Sequence, residues 1–140
     1  MAYWNPDFSD RDEVLAAHRR GSGVTIVLAV LILLETGLVY FMENVFAPSG
    51  LVEPDIVKVA SGVAEAAFAL FVAWRFQVGK GAFTGALLLL VLALGVVLQV
   101  LDGELTGLVI ALVIMVGLFH AVRAAFTVRA WPQDEADRFV

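Results

Sequence analysis

The sequence predicts an all-α, polytopic membrane protein whose four transmembrane helices form two hairpins with both termini cytoplasmic, and three observations carry that reading. Composition is the first: 61% of the 140 residues are hydrophobic and only 16% are charged, which lies outside the globular range. The second is the pattern of apolar runs. Val24–Phe46, Ile56–Phe76, Ala82–Leu101 and Leu105–Val128 each supply the ~20 residues needed to cross a hydrocarbon core of about 30 Å. The third is the placement of basic residues, which concentrate on the cytoplasmic side of short loops. Arg11, Arg19, Arg20, Arg75, Lys80, Arg123, Arg129 and Arg138 fall on the side of the termini, and only Lys58 falls near the other.

The chain divides on this basis into a cytoplasmic arm over residues 1–23, a transmembrane domain over 24–128 and an acidic cytoplasmic tail over 129–140. The arm opens with Tyr3 and Trp4, residues that favour the headgroup layer. Ser9, followed by Asp12 and Glu13, reads as the start of a short interfacial helix over Asp10–Arg20, with a capping oxygen and first-turn acids. His18 lies on it and is expected to be a solvated surface residue. The first apolar run is too long for a signal peptide and carries an acid.

Between the spans, residues 47–55 form a loop rich in turn formers, Gln77–Gly81 a tight connection, and Asp102-Gly103-Glu104 an acidic outer turn. Trp4, Trp74 and Trp131 fall at one boundary, as an aromatic belt requires. The stretches Leu70–Arg75 and Leu118–Arg123 resemble each other, a faint sign of a parallel repeat of hairpins.

Net charge is −5, but loop charge bears on topology more than the sum does. The absence of cysteine excludes disulfides and thiolate metal sites within this sequence. No phosphate loop, nucleophile constellation or zinc motif occurs. Neither a cofactor nor a metal is therefore expected, and nothing points to nucleic acid. The expected surroundings are the lipid bilayer of a prokaryotic cytoplasmic membrane, and the expected partners are further copies of the chain or a larger membrane complex.

Two acids stand near the middle of spans. Glu35 lies roughly 16 Å along the helix from Val24 and Glu65 roughly 15 Å from Arg75, so they share a level. An ionisable group at that depth costs roughly 2.5–3.5 kcal/mol on insertion scales and is kept where a partner, a proton or a function compensates. Helical phase sets Glu35 on a stripe with Leu28, Ile32 and Val39, and Glu65 on one with Lys58, Ser61 and Gly62. Helices joined by a short loop pack together, so the acids are expected to face each other, with at least one holding a proton. Glu43, Lys58 and Gln99 form a secondary polar group toward the outer face. His120 and Arg123 lie roughly 10 Å below the acids, too far for a shared coordination shell.

These features lead to a proton- or cation-linked transporter or channel, with Glu35 and Glu65 as its substrate- or ion-binding residues, working as an oligomer. Two other readings stand beside it. One is an accessory subunit whose acids hydrogen-bond to a neighbour, and the other is a membrane-embedded enzyme acting on a lipid-soluble substrate. In length, span number and the acid of its first helix the chain resembles small multidrug and tandem-hairpin efflux proteins. That resemblance is architectural and implies no residue roles.

Overall fold

The computed structural model describes residues 6–46, 56–103 and 107–131. Those residues form four α-helices and no strand: α1 (Arg11–Phe46), α2 (Ile56–Gln77), α3 (Ala82–Leu101) and α4 (Leu108–Arg129). All four are long and apolar enough to cross a membrane, which points to an integral membrane protein. Tyr3, Trp4, the loop 47–55, Glu104 and the tail from Pro132 lie outside the described residues.

Most helix bounds fall close to the apolar runs. The exceptions have local causes. The fourth helix starts at Leu108 rather than residue 105, because Gly107 holds a left-handed conformation at φ 81°. The first helix has no break before Val24, so the separate interfacial helix expected over Asp10–Arg20 is instead the opening of α1. With 36 residues, α1 is about 54 Å long, more than a ~30 Å core can hold upright. Its start is also set one residue later than expected. Asp10, not Ser9, caps it by accepting a hydrogen bond from the Asp12 amide at 2.9 Å, while the Ser9 amide and hydroxyl both donate to Asp7.

The connection from α2 to α3 is a Schellman motif. Gly79, at φ 70°, lets the Lys80 amide reach the Arg75 carbonyl at 2.8 Å while its own amide bonds to Phe76 at 3.2 Å. The chain thereby reverses within a few residues and lays the start of α3 beside the end of α2.

In the bundle, α1 packs along α2 and α4, α3 packs chiefly along α4, and the seam between α2 and α3 is less extensive than these. Neighbours run antiparallel: Gly21 of α1 meets Phe76 near the end of α2, and Thr36 meets Gly62 near its start. Burial is concentrated at the end that carries the arginines. No described residue is buried in α1 beyond Ala29, in α2 before Gly62, in α3 beyond Leu88 or in α4 before Ile114. Leu38, Leu98, Leu101 and Val109 are among the large apolar side chains exposed in that far half, a surface suited to lipid.

Phe76 holds the basic end together. It is 2% exposed, and a Cβ added at Gly21, Gly81 or Gly85 would strike its ring, so the glycines of α1, the connection and α3 form its seat. Ala121 and Val122 of α4 line the same positions, and the His18 ring meets it edge-on at 5.8 Å. Around this centre Arg123 lies over Phe8 at 4.0 Å, Arg129 over Phe83 at 4.9 Å and Arg11 over Trp131 at 5.4 Å. The two similar hexapeptides do not pack alike: Leu118 is fully buried whereas Leu70 is exposed, and Val122 is buried whereas Trp74 is exposed.

Candidate functional site

Where α1 and α2 cross, the side chain of Thr36 rests on the backbone of Gly62, with no room for a Cβ. Alanines at positions 66, 69 and 73 continue the same face of α2, and small residues of this kind let helix backbones approach closely in lipid. At the crossing, between the two helices, lies a groove of about 260 Å³. Glu35 and Thr36 of α1 face it, together with Lys58, Ser61 and Glu65 of α2.

The groove thus gathers both mid-span acids into one place, with Lys58 and Ser61 beside them. Its walls between the polar groups are Ile32, Val39 and Val59. Glu35, Glu65 and Lys58 are exposed on the outside of this single chain, so the site is an open groove rather than an enclosed cavity. The Ser61 hydroxyl donates to the Lys58 carbonyl at 2.9 Å, which turns its oxygen lone pairs outward as acceptors. Both helices run unbroken through this level. Side chains alone therefore build the site, without the unwound backbone that many transporter sites use.

The remaining sequence-predicted residues lie elsewhere. Gln99 is half-buried on α3 and does not line the groove, and the side chain of Glu43 lies outside the described part. His120 is at the basic end, with ring neighbours Phe119 at 5.5 Å and Phe8 at 6.3 Å, and Arg123 stacks on Phe8. Among the described residues no cluster of acids and histidines is arranged to hold a metal ion.

Thr36 is the residue of this site that the sequence reading passed over. Its signal was its position next to Glu35 and opposite a glycine one turn from Glu65.

A second polar region was also missed, at the basic end. His18 is only 9% exposed, contrary to the solvated position expected for it, because α1 continues through it and packs on Phe76. It lines a cavity of about 480 Å³ with Ser22 of the next turn and Gln77 of α2, whose side-chain amide donates to the Ser22 hydroxyl at 3.1 Å. His18 precedes the apolar segment that begins at Val24. Burial, and secondarily the Arg19 charge beside it, lowers its pKa below the ordinary value.

A histidine kept neutral by folding makes stability depend on pH. The unfolded chain takes up the proton first, so the contribution is complete above about pH 6.5 and is lost as pH falls below it toward the folded-state value. The midpoint of thermal unfolding in mild detergent is expected to fall between pH 7.5 and pH 5.5 in the wild type, and to fall less in His18→Gln. Asp7, whose pKa is lowered by its bonds from Ser9, titrates in a separate window below about pH 4.

Comparison with protein-family models, with curated proteins and with solved structures finds no match.

Proposed function

We propose that the chain binds a proton or a small cation in the α1–α2 groove and serves in proton- or cation-linked transport as an oligomer in a cytoplasmic membrane. One observation carries this reading: a single groove is lined by two carboxyl groups, one ammonium and two hydroxyl-bearing side chains. With all three charges formed, the groove holds a net charge of −1, and one proton or one monovalent cation brings it to neutrality. In a low-dielectric setting that difference is large, so occupancy of the site and its charge state are tightly linked. The Thr36 and Ser61 oxygens add neutral acceptors for a bound cation.

The groove is formed by α1 and α2 alone and lies open on the chain's surface, so a neighbouring copy placed over it would enclose the pathway that four short helices do not. The same exposure favours a second reading, an accessory subunit whose acids bond to a different membrane protein. Purification in mild detergent separates the two. Homo-oligomers support transport, and constant co-purification with another subunit supports assembly.

Labelling with a hydrophobic carbodiimide tests the site itself, since such reagents reach carboxyl groups from the lipid phase and react with the protonated form. Glu35 or Glu65 is expected to carry most of the label, more at pH 6 than at pH 9, with protection by saturating cation. Labelling spread over Asp12, Glu13 and the other acids, with neither groove acid preferred, would count against a protonated groove.

A further inference from the structure

The cavity beside His18 is distinct from the α1–α2 groove and calls for a ligand of opposite charge. Its ten lining residues include no acid, while Arg19 stands exposed at its rim. His18 is about nine-tenths buried in its wall, and its Nε2 atom is shut off from solvent with no hydrogen-bond partner. Buried polar atoms are almost always paired, so an unpaired one on a residue that lines a cavity marks a missing partner. Ser22 accepts a bond from Gln77 and keeps its own O–H to donate. Gly23 adds no side chain to the lining, and a Cβ built there meets nothing within 4 Å.

We infer that this cavity binds a phosphate group at the membrane–water boundary, carried by a phospholipid headgroup or present as the free ion. Arg19 supplies the charge and planar donors that suit phosphate oxygens, Ser22 supplies a hydroxyl donor, and His18, turning its Nε2 into the cavity, supplies the innermost bond. At about 480 Å³ the cavity is in the range that holds a small ligand, larger than a bare phosphate needs. Ile26 and Leu15 extend its apolar wall from the polar end, which suits the glycerol and first acyl carbons of a lipid. Burial and Arg19 both disfavour a charged imidazole in the empty cavity, and an arriving anion offsets both effects.

The test uses the full chain in mild detergent with three probes: dioctanoyl phosphatidylglycerol, inorganic phosphate, and dioctanoylglycerol as the phosphate-free control. Binding is read from the imidazole ¹⁵N signals of His18, assigned by their loss in His18→Asn. Phosphatidylglycerol is expected to shift these signals saturably and dioctanoylglycerol to leave them in place. Arg19→Gln, at an exposed position that does not threaten folding, is expected to weaken binding about tenfold, the scale of one hydrogen bond to a charged group. Gly23→Leu, which adds bulk to the lining, is expected to weaken it at least as much. An equal response to inorganic phosphate identifies the free ion as a sufficient ligand, and a response to the lipid alone identifies the headgroup. Equal shifts with dioctanoylglycerol, undiminished binding by Arg19→Gln, or no saturable shift with either phosphate probe would overturn the inference.

Discussion

Phe76→Ala is expected to destabilise the protein by about 3–5 kcal/mol, the range for truncating a fully buried aromatic side chain. The ring is 2% exposed and lies against the backbones of Gly21, Gly81 and Gly85. Backbone cannot collapse into the void as flexible side chains would, so the cavity persists and the full packing loss is felt. In lipid the gain from burial is packing rather than removal from water, which makes a dense contact of this kind the main source of helix association. Unfolding by SDS titration from mild-detergent micelles checks the effect. Phe71→Ala, at an exposed position of the same helix, is expected to leave the transition within about 0.5 kcal/mol of wild type.

Gly62→Leu is expected to be the second severe change, because the added side chain must enter space that Thr36 already fills. Overpacking of this kind costs about 1–3 kcal/mol, and here it also forces α1 from α2 at the point that sets the groove. Helix content should stay near wild type in circular dichroism while carbodiimide labelling of Glu35 and Glu65 loses its protection by cation. Thr36→Ala combined with Gly62→Ala should be less destabilised than the two single changes sum to, a coupling energy between touching residues. Gly37→Leu is the matched control, since nothing lies within 4 Å of a Cβ built there.

The four helices were legible because apolar runs of membrane length leave few alternatives, and the shared level of Glu35 and Glu65 followed from a fixed rise per residue. Depth also separated His120 from the acids without any knowledge of packing. What could not be read was the set of contacts across the bundle. Gly62 looks like any small residue of a span until Thr36 is placed on it. His18 was misread for a related reason. Arg19 and Arg20 follow it, but it is buried against Phe76, 58 positions along the chain, near Val128 of α4. Gly21 is a similar case, since it marks no helix end but a seat for Phe76 and Ala121.

The claim that the groove acids bind and release the transported species is tested most directly by flux in proteoliposomes holding purified wild-type protein, Glu65→Gln or Glu65→Asp. Wild-type protein is expected to show a pH- or cation-dependent flux. The neutral Glu65→Gln variant should fold but lose about tenfold or more of that flux, and Glu65→Asp, which keeps the carboxyl group, should retain part of it. Full flux in a folded Glu65→Gln variant would contradict the account.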